Sequence, residues 1–257
     1  MSVDPLTAFV ARSLRAEVSD VRSELVTKNA LMEVERIRFK EEGEDRSLTL
    51  KRVPPTDALE VQLLPFLSRK TDRVPRVFSR GIPPATTPAW PWVMTEDVLD
   101  ATSACHEDAR AIVLTKVAIE RATASDAPAL AALGVKTLTP LERVERAAER
   151  AALDRPIDED ARAAAAALAE FPLVLCHGEL TCAHARSSKR GVLVVEWRRA
   201  HLGCGLIDVA ELAEDARRFH GTDAGAKLFE LYGELTGIRV HADEVRAARL
   251  IAQVVRS

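Results

Sequence analysis

Two stretches decide how this chain is read: Phe171-Pro-Leu-Val-Leu-Cys-His-Gly-Glu179-Leu-Thr-Cys-Ala-His184 and Gly191-Val-Leu-Val-Val-Glu196-Trp-Arg-Arg-Ala-His-Leu-Gly203. Each begins with an apolar run of strand length, Leu173–Cys176 and Val192–Val195. Each run leads to a carboxylate, Glu179 just past the first and Glu196 at the end of the second. Between them Ser187-Ser-Lys-Arg-Gly191 reads as a short polar turn of hairpin type. A hairpin of the two runs would bring Glu179 and Glu196 to the same end of a small sheet. Two acids converging there could hold a cation, or one could orient a nucleophile while the other holds a metal.

The spacing resembles the aminoglycoside phosphotransferase and choline kinase family. His177 and Gly178 stand where that family has the same pair, and Val195-Glu196-Trp197, Ala200, Gly203 and Asp208-Val209-Ala210 fit its second motif. The resemblance implies an α+β, two-lobed, protein-kinase-like fold, with a small β-rich N-lobe over residues 1–97 and a larger helical C-lobe over 98–257. It also implies ATP with Mg2+ or Mn2+ as cofactors, and a nucleotide and a small-molecule hydroxyl acceptor as partners. The frame is kept while the chemical positions change. Glu179 stands where the family has its catalytic aspartate, His184 where it has a metal-binding asparagine, and Glu196 where it has its main magnesium-binding aspartate.

Apolar residues at 47% are ample for a packed core, and 29% charged residues make a hydrated surface. A net charge of −3 gives no bulk attraction to nucleic acid or an anionic membrane, so neither is an expected partner. No run approaches a membrane span, and the start Met1-Ser-Val-Asp-Pro-Leu-Thr does not read as a secretory signal. The expected setting is the cytoplasm. Cys105, Cys176, Cys182 and Cys204 form no Cys-x-x-Cys pair, and reduced thiols are the default there.

Taken in order, Asp4-Pro5 reads as a helix start. Leu6, Phe9, Val10, Leu14, Val18, Val21 and Leu25 follow at roughly helical spacing. Ser47–Val53 alternates as a strand, after a turn at Glu42-Gly-Glu-Asp45. By the resemblance, Lys51 on this strand contacts the nucleotide α- and β-phosphates. Glu60, on a helix expected over Asp57–Leu64, is placed to pair with it. By the resemblance the phosphate loop falls near Leu25–Ala30, which lacks glycine, so either Lys28 and Asn29 contact phosphate with side chains or the loop grips it poorly. Trp92–Asp97 resembles the fifth strand and hinge, making Thr95, Glu96 and Asp97 the candidate adenine contacts. Pro83, Pro84, Pro88 and Pro91 argue for a long loop before it. From Ala104 onward the pattern is helical: Asp108–Ala124, Asp126–Leu133, Leu141–Leu153, Asp158–Phe171, Asp208–Phe219, Asp223–Thr236 and Asp243–Val255.

By resemblance Glu179 orients the acceptor hydroxyl and Glu196 with His184 holds the metal. His177 belongs to the catalytic loop, which it holds by hydrogen bonds more naturally than it titrates. Asp208 reads as a brace for that loop or as an ordinary helix cap. Glutamate for aspartate moves a carboxylate by about 1.5 Å, one C–C bond. An error of that size costs roughly a hundredfold in rate unless the backbone compensates. Histidine suits manganese or zinc better than magnesium. Three readings follow. One is an active phosphotransferase. Another is a catalytically impaired, pseudokinase-like domain that binds nucleotide or a protein partner. The last is a zinc or thiol site from Cys176, His177, Cys182 and His184. Glu211, Glu214 and Asp215 read as a solvated helix face, or as acids that draw a cationic acceptor.

Overall fold

The computed structural model describes residues 4–84, 89–99, 109–150 and 159–256. Pro88, Ala104, Cys105, Asp108, Leu153 and Asp158 lie outside them. The chain divides into two compact units, Met1–Ala101 and Thr102–Ser257.

The first unit opens with α1 (Pro5–Leu14). Asp4 caps it by accepting the Thr7 N–H at 3.0 Å, with Pro5 at the first helical position. The helix ends far short of Leu25. Arg15 turns left-handed at φ 57°, and β1 (Val18–Lys28) begins three residues on. The apolar stripe that reads as one long helix is shared between two elements. Leu6, Phe9, Val10 and Leu14 from α1 and Val18 and Val21 from β1 all pack into one core with Ile37, Phe39, Leu48, Leu50 and Met94. Leu25 is outside it, more than half exposed.

β2 (Glu33–Glu41) and β3 (Glu44–Arg52) are joined by Glu42 and Gly43, both at positive φ, a two-residue turn that matches strand twist. With β4 (Val77–Gly81) and β5 (Trp92–Glu96) they form an antiparallel sheet in the order β1-β2-β3-β5-β4. Central β3 is buried on both faces. Leu48 and Leu50 meet the core named above, while Thr49 and Lys51 on the other side are also buried. There α2 (Leu59–Lys70) contributes Glu60, buried with Val61, Leu63, Leu64 and Leu67. It starts two residues later and runs six residues further than the sequence pattern indicates.

The second unit holds α3 (Ala109–Thr123), α4 (Ala127–Ala132), β6 (Lys136–Thr137), α5 (Pro140–Arg150), α6 (Glu159–Ala167), β7 (Leu173–Cys176), β8 (Ala185–Ser188), β9 (Gly191–Val194) and β10 (His201–Cys204). Then follow α7 (Gly205–His220), α8 (Thr222–Thr236) and α9 (Ala242–Arg256). The two apolar runs do not pair with each other. β9 pairs with β8 across the Lys189-Arg190 turn, and β7 pairs antiparallel with β10, which also carries β6 in parallel. A two-residue turn closes β9 onto the residues immediately before it, so Leu173–Cys176 is left for another partner. That partner, His201–Cys204, is not legible as a strand because Gly203 breaks its short pattern. α7 starts at Gly205, three residues before Asp208. A Cβ at Gly205 would lie 2.3 Å from the Tyr232 hydroxyl, so only glycine lets α8 approach.

Candidate active site

The loop after β7 carries the site, and α7 holds it. Asp208 accepts the backbone N–H of His177 at 2.7 Å and of Gly178 at 3.1 Å. Glu211 accepts that of Leu180 at 3.0 Å, and Asp215 that of Cys182 at 3.2 Å. These acids recur at i, i+3 and i+7, one face of the helix. Asp208 (0% exposed), Glu211 (1%) and Asp215 (7%) are therefore neither a solvated face nor a draw for a cationic acceptor. Glu214 points elsewhere and pairs with Arg217 at 3.2 Å. Asp208 combines the brace with a place one turn inside the helix, so it is not its cap.

Behind the loop lies a buried ionic cluster that sequence reasoning missed. Lys116 pairs with Glu120 and lies 3.5 Å from Asp208. Arg143 pairs with Glu211, lies 3.6 Å from Asp208, and donates to the Gly178 carbonyl at 3.3 Å. The Tyr232 hydroxyl donates to Glu120 at 3.3 Å. Burial alone would push Asp208 up, but Lys116 and Arg143 outweigh it and hold the carboxyl well below the usual range. Burial lifts Glu211 to about 7 against the pull of Arg143. The only sequence signal for this cluster was charge at core spacing: Lys116 and Glu120 are four apart within an apolar helix.

His177 is buried, with both ring nitrogens hydrogen-bonded. Its Nε2–H donates to the Val195 carbonyl at 2.8 Å, and its Nδ1 accepts from the Glu179 N–H at 3.3 Å. Trp197 packs edge-on against the ring, centroids 5.0 Å apart. Burial, with His184 beside it, lowers its pKa to about 4. His184 donates from Nδ1 to the Glu179 carbonyl at 2.7 Å, which leaves Nε2 as its ligand nitrogen. The Val195 N–H in turn donates to the His184 carbonyl at 2.9 Å. Both histidines thus fasten the peptide next to Glu196, the link that strand pairing does not provide. Glu196 is left-handed at φ 68°, a strained conformation for a non-glycine residue.

Glu179 is the one partly exposed residue of His177–Cys182. Its carboxylate faces Arg198 Nη2 at 3.5 Å and Arg199 Nη1 at 3.3 Å. Gly178 makes that approach possible. Its φ is +84°, and a Cβ there would lie 2.2 Å from the Arg199 carbonyl.

In the first unit, Lys51 Nζ lies 2.6 Å from Glu60 Oε2, both side chains under 10% exposed. Lys28 and Asn29 already have partners within the β1–β2 hairpin. Leu25–Lys28 is strand, Lys28 pairs with Glu33 at 2.7 Å, and Asn29 Oδ1 closes the turn by accepting the Leu31 and Met32 N–H groups. Thr95 is buried and its hydroxyl donates to the Glu96 carbonyl. Glu96 accepts the Arg76 N–H at 2.9 Å, and Asp97 pairs with Arg36 at 2.7 Å and accepts the Leu99 N–H. The Glu96 and Asp97 side chains thus serve the sheet and the turn after it.

The zinc or thiol reading loses its ligands. Cys182 is disulfide-bonded, against the expectation of reduced thiols, while Cys176 and Cys204 are free and buried. Burial also pushes the Cys176 thiol well up, away from the thiolate a metal needs. Both ring nitrogens of His177 are engaged. Among the described residues no cluster of three or more His, Cys, Asp or Glu side chains is placed to hold a metal, and no helix is long and apolar enough to cross a membrane.

The chain matches no family model and no curated protein. Solved structures resemble it along its whole length. An aminoglycoside-3'-phosphotransferase of type VIII is 17% identical with TM-score 0.62, covering 98% of this chain and 100% of its own. An aminoglycoside phosphotransferase from Streptomyces rimosus is 19% identical with TM-score 0.60, over 98% and 99%. A choline kinase from Cryptosporidium parvum is 11% identical with TM-score 0.61, over 91% and 81%. The fold is that of the aminoglycoside phosphotransferases and choline kinases: kinase-like and α+β, with a β-sheet N-terminal region and a helical C-terminal part.

Proposed function

We propose that this protein is an ATP-dependent phosphotransferase acting on a hydroxyl of a small molecule. The observation that carries the proposal is Glu179, the one partly exposed residue of His177–Cys182, a stretch in which four backbone N–H groups are pinned to α7. Phosphoryl transfer asks for positioning and charge neutralisation, and a rigid loop offering one carboxylate suits the first need. Glu179 would accept a hydrogen bond from the acceptor hydroxyl and take its proton. Lys51, held by Glu60, would contact the nucleotide phosphates. The residue 95–97 backbone would meet the base, and a relative of this fold, a spectinomycin phosphotransferase, was solved with ADP and spectinomycin.

Glu196 would be the carboxylate that holds magnesium, with the other ligands drawn from phosphates and water, as is usual for that ion. His184 has one nitrogen left for the task and suits manganese better. The metal would neutralise phosphate charge. A cytoplasmic setting belongs to this reading because of its ATP requirement, and the Cys182 disulfide is the feature that stands against it.

A second reading, a nucleotide- or partner-binding domain with little turnover, is favoured by the arginines paired with Glu179 and by the glycine-free β1–β2 turn. The test is unfolding temperature with ATP and magnesium, manganese or EDTA, followed by ADP release with candidate acceptors. A ligand at a hundred times its dissociation constant adds about 2.7 kcal/mol to stability. A metal-dependent rise with turnover supports the transferase. A rise without turnover supports the second reading, and no rise removes both nucleotide roles.

A further inference from the structure

Of the acids that could have attracted a cationic acceptor, Glu211 and Asp215 are consumed inside the fold and Glu214 pairs with Arg217, whereas the charges facing Glu179 are guanidinium groups. Arg198 is 22% and Arg199 38% exposed, so both reach solvent at the carboxylate. Their contacts with Glu179, 3.5 and 3.3 Å, are longer than the ~2.8 Å of a well-made charge-assisted hydrogen bond. Each guanidinium carries five N–H donors and gives one contact to Glu179. The pair has donor capacity to spare. It is also rigidly placed. The Arg199 carbonyl abuts Gly178 and accepts from His201 Nδ1 at 3.1 Å, and Trp197 before the pair is packed on His177. Two guanidinium groups face the single carboxylate of the residue that would meet the acceptor hydroxyl. A polycation would be repelled there, and an oxyanion would be held by two forked donors.

We infer that Arg198 and Arg199 form an oxyanion subsite, so that the acceptor is a hydroxyl compound bearing a carboxylate or phosphate. The word acceptor rests on the phosphotransferase reading; the subsite does not. In this arrangement the acceptor's anion competes with Glu179 for the arginines and frees the carboxylate to meet the hydroxyl.

The test is calorimetric titration of the full chain, without nucleotide and at low salt, with glycerate, glycerol 3-phosphate, inorganic phosphate, glycerol and choline. Glycerate or glycerol 3-phosphate should bind, with glycerol and choline far weaker. R198A or R199A should weaken the anion by roughly tenfold to a hundredfold, with unfolding temperature as the folding control. R198K should recover only part, because lysine lacks the fork. E179Q should tighten binding, which a merely structural arginine pair would not produce. Preference for choline, no anion binding, or anion binding indifferent to both arginine variants overturns the subsite. Inorganic phosphate binding as tightly as glycerol 3-phosphate overturns the acceptor assignment. Anion binding in a protein whose unfolding temperature ignores ATP would sink the phosphotransferase reading alone.

Discussion

Glu179 separates position from chemistry. Its backbone belongs to a loop fixed by four carboxylate-bound N–H groups nearby, while among the described residues its own carboxylate pairs with the two arginines. Substituting it should leave the fold intact. Glu179→Gln is expected to lower phosphoryl transfer by about two to four orders of magnitude, the usual worth of a positioned base, with ATP binding unchanged. Steady-state ADP release with a nucleotide titration checks both halves, and wild-type turnover would remove Glu179 from the role. Asp208 is the opposite case. Asp208→Ala strands two loop N–H groups and leaves Lys116 and Arg143 short of a counter-charge, a loss of about 3–5 kcal/mol. Thermal unfolding should register it as roughly 10 °C for a chain of this size.

Along α7 the same carboxylates set the response to pH. His177 and His201 are held near 4, chiefly by burial. The unfolded state then binds more protons between about 4 and 6.5, and their contribution to stability grows as pH rises through that window. Glu211, raised to about 7, acts with the opposite sign: its folded form keeps the proton longer, so stability falls as pH rises from about 4.5 to 7. Its neighbours Arg143 and Asp208 stay charged throughout. Glu211→Gln should therefore make unfolding temperature climb more steeply between pH 5 and 7 than in the wild type; parallel curves would show that Glu211 does not titrate there. Little of this was legible in the residues. Motif spacing picked out Asp208 as the brace of the loop, because a tight loop tolerates few insertions. Glu211 and Asp215 passed for a solvated face, because a buried carboxylate that serves backbone N–H groups has the same helical period as an exposed one. The α1–β1 boundary was missed for a related reason: a helix and a strand feeding one core can imitate a single amphipathic helix. The pairing of β7 with β10 depends on partners nearly thirty residues apart, which no local pattern encodes.

For the molecule as a whole, the proposed chemistry divides between a sheet unit that carries a buried Lys51–Glu60 pair and a helical unit that carries the loop after β7. Lys51→Met should abolish any ATP-induced rise in unfolding temperature while also lowering the baseline, since Glu60 is left buried and unpaired. The double variant Lys51→Met with Glu60→Gln should restore part of the baseline and none of the rise. A ligand-induced rise that survives in both would place the nucleotide elsewhere. The ladder of Asp208, Glu211 and Asp215 carries a consequence in time as well as in space. The amides of His177, Gly178, Leu180 and Cys182 are bonded to side chains of α7, so none can meet solvent deuterium unless that helix's grip is broken. Their exchange should be as slow as that of the α7 backbone itself, a pace unknown to ordinary surface loops. A loop of this kind keeps the lifetime of a helix.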